Sequence, residues 1–456
     1  MDTIVAISTA PGIGGIGIVR ISGEKCFQII KQIFQPKNAA NMDRVKGYTI
    51  KYGYIINPSS REKIDEVLVS FFKGPKSYTT EDMCEINSHG GIIVLKEILQ
   101  LCLENGAKIA EPGEFTKRAF LNGRIDLLQA EGVIDIIHAK TKKEKAAHLN
   151  QLEGVLSAEI KQIRQMALDI LVDIEATIDY PEYDIEEVTK NGAVERLYKI
   201  QQELIKLEKS FDKGKIIKEG ISVAIIGKPN AGKSSLLNAL LREERAIVTE
   251  IEGTTRDTIE EYIDVQGIPV KIIDTAGIRE AKDRIESIGI EKSREIAKKA
   301  DLIIAVFDSS KELEEEDKEI LDMIKARAAI VVLNKTDLEN QLKDDPGFKE
   351  IPNLLEISAL ERKGIEELTH KIVELFDTND IGTEGSALVT NIRHKELIKK
   401  ANLRAEEALQ DLQNDMPIDI IAIHIKDILE NLGEITGENV TDSVINAIFS
   451  KFCLGK

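Results

Sequence analysis

The chain has 456 residues, more than one hydrophobic core accommodates, and this length predicts about three domains. It carries 61 Lys plus Arg against 79 Asp plus Glu, a formal net charge of −18 that argues against non-specific binding to polyanions. Any contact with nucleic acid must therefore use a local basic patch.

The cysteine pattern and the hydropathy pattern indicate the cell compartment in which the protein is expected. Four cysteines without a C-x-x-C spacing argue against a zinc cluster and indicate a reducing compartment. The sequence shows no apolar stretch of membrane-spanning length, and residues 1–3 lack the basic start of a signal peptide. We expect a cytoplasmic protein that does not enter a membrane.

Residues 1–118 predict an α+β domain. Short β-rich runs at 3–7, 15–20 and 66–72 alternate with glycine turns, and a helical pattern lies near 92–105.

From about residue 119 to 218 the sequence pattern is typical of helices. Apolar residues at steps of three and four between 149 and 174 predict one long amphipathic helix that ends at Pro181, and a second helix follows from 194 toward Gly214.

Residues 219–378 predict a doubly wound α/β domain. Its apolar strands fall at 222–226, 270–273, 302–307 and 329–333 and alternate with helical patterns. The acidic run 312–317 is interpreted as a solvated loop or helix face.

The sequence pattern is again typical of helices over residues 379–456. Helices are predicted at 395–413, at 417–432 with Gly433 as a cap, and at 442–452. We interpret the α/β domain as an insertion into a single helical domain. Two separate helical segments are the alternative.

The first chemical signal is the G-x-x-x-x-G-K-S sequence at 227–234, placed between a predicted strand and a helix. In such a P-loop the backbone N–H groups and the helix N-terminus face a phosphate, while Lys233 reaches the terminal phosphates and Ser234 ligates Mg²⁺. A glycine-rich turn without a ligand is the alternative, and four further motifs decide against it.

These motifs follow the P-loop along the chain in the same order as the motifs of guanine-nucleotide-binding proteins. Asp274 is expected to hold Mg²⁺ through water, and Thr255 to complete its shell. A carboxylate at Asp337 can accept both N–H groups of the guanine edge, which adenine cannot offer. The predicted GTP-binding residues are Asn230, Ala231, Gly232, Lys233, Ser234, Ser235, Thr249, Glu250, Ile251, Glu252, Gly253, Thr254, Thr255, Asp274, Thr275, Ala276, Gly277, Asn334, Lys335, Thr336, Asp337, Ser358, Ala359 and Leu360.

The hydrolytic step departs from the Ras-like pattern. Ile278 stands where those proteins carry the glutamine that orients water, so another polar group within 279–286 must do so. Asn230 offers an uncharged oxygen suited to a monovalent cation beside the phosphates. A plain turn residue is the alternative reading of Asn230.

These motifs resemble the translation-factor-related GTPases, and over essentially the whole length the chain resembles the MnmE/TrmE family. The family pattern is carried by Asn230, by residues 253–257 and 274–280, and by the terminal 452–456. In the first domain it is carried by residues 2–6, 11–15, 20–23, 81–85, 89–91 and 122–124.

The resemblance implies a potassium-stimulated GTPase that modifies carbon five of the wobble uridine of certain tRNAs. It implies a homodimer that acts with the FAD-containing flavoprotein MnmG, and a tetrahydrofolate, in the 5-formyl or methylene form, as the one-carbon donor. The implied K⁺ ligands are Asn230, Thr249, Ile251 and Thr254, and Ser234 and Thr255 are the implied Mg²⁺ ligands.

Three catalytic residues and a folate site are implied as well. Glu286 would position the attacking water, with Lys233 on the phosphates, and Cys453 would serve the modification chemistry. The implied folate residues are Arg20, Glu85, Arg124 and Lys456. The family commonly has lysine where Arg124 stands, which keeps the charge and changes the donor geometry. The first domain is thus expected to bind folate and to dimerise.

Two alternatives stay open at this level. A buried, inert thiol is the alternative for Cys453, whereas Cys26, Cys84 and Cys102 are interpreted as structural. A regulatory or ribosome-assembly GTPase without modification chemistry shares the nucleotide motifs, and only the first domain and Cys453 separate it from a tRNA-modifying enzyme.

Overall fold

The structure is a computed structural model. It describes residues 2–38, 47–180, 186–243, 246–247, 261–273, 295, 297–325, 327–342, 345–348, 351–376 and 387–456. These residues form two compact units, Met1–Ile134 with Leu432–Lys456, and Asp135–Asn431. The division differs from the expected domain boundaries, because residues 119–134 and 432–456 belong with the first unit.

The first unit contains a seven-stranded sheet. Its strands, in the spatial order β3-β4-β5-β6-β2-β1-β7, pair antiparallel except for the parallel pair β1–β7. The strands are β1 Ile4–Ile7, β2 Gly14–Ser22, β3 Phe34–Pro36, β4 Thr49–Ile56, β5 Lys63–Phe72, β6 Met83–Gly90 and β7 Lys108–Ile109. The α+β prediction is confirmed.

Helices α1 (Cys26–Ile33) and α2 (Ile92–Glu104) cover this sheet. Each has an apolar face, and residues such as Ile30 and Ile98 are fully buried against sheet residues such as Val69. Alternate strand residues face this core, which fixes the register of each strand, since a shift by one would turn its apolar face outward.

Three further helices begin or end in this unit. These are α3 (Glu114–Leu121), α4 (Leu127–His138) and the last helix, α13 (Asp442–Phe449). Phe449 and Phe452 pack in one apolar cluster with Leu127 and Ala130. This shared cluster explains why the C-terminal residues belong with the first unit and not with the preceding helices.

The long helices of the second unit are α5 Lys142–Glu153, α6 Val155–Asp179, α7 Glu186–Glu219, α11 Ile392–Gln413 and α12 Ile418–Thr436. The last residues of α12 belong to the first unit.

The prediction of a single helix over residues 149–174 is wrong. Gly154, at φ 89°, caps α5 and starts α6, and this left-handed backbone interrupts the helix although the apolar spacing continues across it.

The predicted cap at Gly433 is also wrong. Helix α12 continues to Thr436, and the left-handed residue is Gly437, at φ 91°, whose N–H donates to the Gly433 carbonyl at 3.0 Å. A glycine within the last turn of a helix resembles a cap in sequence, and the next glycine is the one whose backbone turns. Pro181 lies outside the described residues.

The α/β part of the second unit has a seven-stranded sheet in the order β14-β13-β12-β8-β11-β10-β9. Neighbouring strands from β14 to β11 are parallel, whereas β10 is antiparallel to β11. The strands are β8 Ile221–Ile226, β9 Ala246–Ile247, β10 Glu261–Val265, β11 Ile268–Ile272, β12 Leu302–Asp308, β13 Ala329–Asn334 and β14 Leu354–Glu356.

Helices lie on both faces of this sheet. Helices α8 (Lys233–Glu243) and α10 (Ile365–Leu375) contribute to one apolar core, and α9 (Glu315–Ile324) contributes to the other. The strand order reverses at β8, which lies between β12 and β11, so the loop after β8 opens where ligands bind in doubly wound sheets. The predicted doubly wound fold is confirmed.

Among the described residues, no helix combines the length and the apolar character that crossing a membrane requires.

Candidate functional sites

The loop between β8 and α8 has the backbone of a phosphate cradle. A Cβ at Gly227 would overlap the Val306 carbonyl oxygen, and one at Gly232, where φ is 100°, would overlap the Asn334 side-chain amide. Only glycine fits at these two positions. Asn230 adopts φ 61°, a left-handed conformation that asparagine tolerates better than most residues.

Lys233 occupies the inside of this loop. Its Nζ donates to the backbone carbonyls of Gly227 and Lys228, at 2.7 Å each. The ammonium group is therefore held beside the loop backbone at the start of α8, where a helix N-terminus attracts anions. Ser234 and Ser235 are exposed in the same turn.

Asn334 joins three of the predicted motifs. Its side chain is 2% exposed, its Nδ2 donates to the Ala231 carbonyl at 2.9 Å, and its Oδ1 accepts from the Ala359 N–H at 3.0 Å. One buried amide thus connects the P-loop, the end of β13 and the loop after β14. These three segments are far apart in the chain and meet at the carboxyl edge of the sheet.

The predicted guanine side of the site is open to solvent. Asp337 is exposed, and its Oδ1 accepts from Ser358 Oγ at 2.5 Å, which orients the carboxylate. The Thr336 N–H donates to the Ile357 carbonyl at 3.1 Å, fixing the loop against β14. Leu360 is exposed beside it. The loop presents a carboxylate where one edge of a flat base can approach.

Asp308 is a contributor that the sequence reasoning missed. Its Oδ2 lies 2.6 Å from Lys335 Nζ, and its Oδ1 accepts from the N–H and Oγ of Ser310. Burial raises its pKa, but the hydrogen bonds from Lys335 and Ser310 outweigh burial, and the net pKa is lowered. The position of Asp308, at the end of β12 on the ligand edge of the sheet, is a signal that could have found it.

A second missed contact lies on the outer side of the P-loop. Lys228 Nζ is 2.8 Å from Glu314 Oε2 and 2.6 Å from Asp317 Oδ2. The interpretation of 312–317 as simply solvated is therefore wrong for Asp317, which is buried and forms a capping box with Glu314 at the start of α9.

Part of the predicted site lies outside the described residues. These positions are Thr249, Glu250, Ile251, Glu252, Gly253, Thr254, Thr255, Asp274, Thr275, Ala276, Gly277, Ile278 and Glu286.

The first unit brings together the four residues predicted for folate, beginning with an ion pair across two strands. Arg20 on β2 lies opposite Glu85 on β6, with Nη2 at 2.8 Å and Nε at 2.9 Å from Glu85 Oε1. Arg20 Nη1 also donates to the Gly455 carbonyl at 3.1 Å. The guanidinium group therefore links the sheet to the C-terminal segment.

Both arginines approach the ring of Tyr78. The Arg20 guanidinium is 5.6 Å from its ring centroid and the Arg124 guanidinium is 4.7 Å from it. Arg124 is exposed, and its Nη1 donates to the Tyr78 carbonyl at 3.0 Å. Burial and the charge of Arg20 lower the pKa of Lys456. Two guanidinium groups thus approach one aromatic ring, and Glu85 and Lys456 lie near Arg20.

The C-terminal segment is anchored through its backbone. The Phe115 N–H donates to the Lys456 carbonyl at 3.1 Å, and the Gly113 N–H to the Cys453 carbonyl at 3.4 Å. Gly455 adopts φ 88° and a Cβ there would meet the Ile7 carbonyl, so the chain passes close to β1. These contacts hold the last residues beside Arg20.

The cysteines divide into two groups. Cys453 is exposed, which removes the buried-thiol alternative for it. Cys26, Cys84 and Cys102 are buried, as a structural interpretation requires, and burial raises the pKa of Cys102 to about 12. A thiol held in its protonated form is a weak nucleophile.

The β8–loop–α8 unit, with Lys233 inside the loop and Asn334 beside Asp337 at the sheet edge, defines a P-loop GTPase. Comparison with known proteins specifies the family. The family described as the GTP-binding protein TrmE N-terminus matches residues 3–124, and the MnmE helical domain matches residues 127–453. The chain belongs to the MnmE family of tRNA modification GTPases, which are GTP hydrolases.

Relatives match over the full length. The tRNA modification GTPase MnmE of Acetivibrio thermocellus is 50% identical over 457 residues, which cover 100% of this chain and 99% of the relative. That of Clostridioides difficile is 48% identical, with the same coverage. Among solved structures, the G domain of the T. maritima FeoB iron transporter matches 34% of this chain and 97% of its own, at 27% identity and a TM-score of 0.25.

Proposed function

We propose that this protein is a potassium-stimulated GTPase that, with the flavoprotein MnmG, adds an aminomethyl or carboxymethylaminomethyl group to carbon five of the wobble uridine of certain tRNAs. A tetrahydrofolate bound in the first unit supplies the carbon, and FAD is held by the partner. The approach of Arg20 and Arg124 to the Tyr78 ring, with Glu85 and Lys456 beside Arg20, is the observation that carries this proposal, because a GTPase acting only as a switch has no need of that cluster.

The nucleotide half of the proposal assigns a role to each predicted segment. Asp337 accepts the guanine N–H groups, Lys233 contacts the terminal phosphates, and Ser234 with Thr255 ligates Mg²⁺. The exposed hydroxyl of Ser234 and the inward ammonium of Lys233 suit these roles. Glu286 positions the water that attacks the γ-phosphate, since Ile278 cannot.

Potassium is proposed to neutralise charge that an arginine finger neutralises in other GTPases. The ligands are Asn230, Thr249, Ile251 and Thr254. The left-handed backbone at Asn230 supports this assignment, because it sets this residue at the turn of the phosphate loop. Hydrolysis would be faster in potassium than in sodium, and an Asn230→Ala variant would lose the difference. Equal wild-type rates in the two salts would contradict potassium activation.

The basic cluster of the first unit fits a folate chemically. A folate carries carboxylates and flat rings, which match guanidinium and ammonium groups and the face of an aromatic side chain. Arg20, Arg124 and Lys456 would bind the negative charge, and Glu85 would hold Arg20 in place and accept from ring N–H groups. The exposed Cys453 is the candidate nucleophile of the modification chemistry.

Hydrolysis is proposed to drive a rearrangement of paired G domains in a homodimer, and the carbon transfer itself occurs elsewhere in the assembly. Because tRNA is the proposed substrate, the protein is placed in the cytoplasm. The proposed domains are residues 1–118, which bind folate and dimerise, 219–378, which form the G domain, and 119–218 with 379–456, which form the helical domain. Residues 119–134 and 432–456 of that helical domain group with the first compact unit.

The test is a comparison of tRNA nucleosides by mass spectrometry in cells with and without this protein. The proposal predicts that the wobble-uridine modification disappears with the protein and returns on complementation. A regulatory or ribosome-assembly GTPase would leave the wobble uridine unchanged, and that outcome would refute the proposal.

A further inference from the structure

Helix α5 begins with an unusual density of positive charge. Residues 140–145 contain four lysines and one glutamate. Lys142 and Lys145 are exposed and lie three residues apart, so they share a face of the helix, and Lys143 between them is partly exposed. In a chain with a net charge of −18, this is a local reversal of sign.

The glutamate within the run does not neutralise these lysines. Glu144 is buried, its Oε2 accepts from the Lys140 N–H at 2.6 Å, and its Oε1 lies 3.9 Å from Nε2 of the buried His148. The carboxylate therefore points into the protein, whereas Lys142 and Lys145 are exposed.

Three lysines on another helix of the same unit are paired. On α7, Lys199, Lys206 and Lys215 each have a glutamate carboxylate three or four residues away, at 2.7 to 3.8 Å. Within the described part of the chain, no carboxylate oxygen lies within 4.0 Å of the ammonium group of Lys142, Lys143 or Lys145. Their charge is open to an external anion.

The start of α5 is held rigidly on the α/β part of the unit. Thr141 Oγ1 donates to the Gly267 carbonyl at 2.8 Å and accepts from the Glu144 N–H at 3.1 Å. The stem of Lys143 packs over Gly267, where a Cβ would approach its Cγ to 2.6 Å. Lys140 Nζ lies 3.5 Å from the ring centroid of Tyr262 on β10. The first turn of α5, which carries these lysines, therefore packs against the β10–β11 hairpin.

We propose that Lys142, Lys143 and Lys145, here called the α5 lysine face, bind the phosphate backbone of tRNA. This inference rests on the proposed function, in which tRNA is the substrate. An acidic protein repels a polyanion at long range, so contact requires a place where positive charge is uncompensated. Three unpaired lysines on an ordered element supply such a place, and they contribute affinity without sequence preference.

The experiment measures the affinity of the full-length protein for unmodified tRNA over a range of salt concentrations. One variant carries Lys142→Gln, Lys143→Gln and Lys145→Gln, which keep most of each side chain and remove three charges. A matched variant carries Lys199→Gln, Lys206→Gln and Lys215→Gln, which remove three paired charges from α7. The GTP hydrolysis rate without tRNA checks that both variants are folded and is expected to be unchanged.

The α5 variant is expected to lose about tenfold or more in tRNA affinity at low salt, and the slope of log K against log salt is expected to fall by about 2 to 3. The α7 variant is expected to keep the wild-type slope. An unchanged slope in the α5 variant, or equal losses in both variants, would overturn the surface assignment while leaving the proposed function standing. Failure of the wild-type protein to bind tRNA would overturn the proposed function and the surface together.

Discussion

The nucleotide site of the second unit and the basic cluster of the first unit are built by different means. The nucleotide site is held by backbone groups and by Asn334, whose amide bonds to residues 103 and 25 positions away. The basic cluster is held by charged side chains, with Arg20 bonded to residues 65 and 435 positions away. The nucleotide site is therefore preorganised by its backbone for a ligand of one shape. The basic cluster depends instead on opposite charges that hold its side chains in place.

The largest expected effect is a loss of guanine-nucleotide affinity when Asp337 is changed. In Asp337→Asn the carboxylate that we propose accepts two guanine N–H groups becomes an amide, so GDP affinity is expected to fall by about 100-fold or more. Xanthosine diphosphate is expected to bind better to the variant, because the new amide can donate to the xanthine oxygen. Calorimetry with both nucleotides measures this exchange. An unaltered preference for GDP would mean that Asp337 does not read the base.

The next effect concerns the internal scaffold of the same site. Asn334→Ala leaves the Ala231 carbonyl and the Ala359 N–H without their buried partner, so a loss of about 30- to 100-fold in GDP affinity is expected. Asn353→Ala is the matched control. Its amide also bonds to a carbonyl, that of Ala329 at 3.1 Å, but at the opposite end of β13. Similar losses of affinity in the two variants would show a general effect on folding.

A smaller effect is expected in the first unit. Arg20→Ala removes the cation held by Glu85, and the affinity for 5-formyltetrahydrofolate is expected to fall by about 10- to 100-fold. Arg124→Ala is expected to cost less, because that side chain is exposed and donates one hydrogen bond to a backbone carbonyl. GTP turnover is the control measurement and is expected to stay at the wild-type rate. A larger loss with Arg124→Ala would reverse the assignment.

The smallest effect is a dependence on pH. The pKa of Lys456 is lowered by burial and by the charge of Arg20, so its ammonium group loses its proton at a lower pH than an ordinary lysine. If this cation binds folate, wild-type affinity declines as pH rises through that lowered pKa. A Lys456→Arg variant stays protonated and is expected to keep its affinity at alkaline pH. Parallel pH profiles for the two proteins would exclude Lys456 from the site.

The two regions also differ in how far the sequence predicted them. The P-loop and the 334–337 motif are contiguous segments, and the structure confirms that they lie at the ends of β8 and β13. Asn334 was predicted to bind nucleotide, but its role as the link to Ala231 and Ala359 depends on the sheet bringing three strand ends together. No local pattern encodes that meeting.

The basic cluster could be predicted only through resemblance to a family. Arg20, Glu85, Arg124 and Lys456 lie in four separate segments, and nothing in their spacing indicates that the fold brings them together. The errors have similar causes. Apolar periodicity continues across Gly154 although the backbone there is left-handed. Gly433 resembles a cap because a glycine inside the last turn of a helix cannot be distinguished by sequence from the glycine that ends it.

The central claim is that the two sites serve one reaction with separate tasks. Cells whose only copy of the protein is the Arg20→Ala variant test it most directly, with tRNA nucleosides analysed by mass spectrometry and the purified variant assayed for GTP hydrolysis. If the two sites have separate tasks, wobble-uridine modification is lost while GTP hydrolysis continues at the wild-type rate. Modification that persists, or hydrolysis that falls together with it, would show that the tasks are not divided in this way.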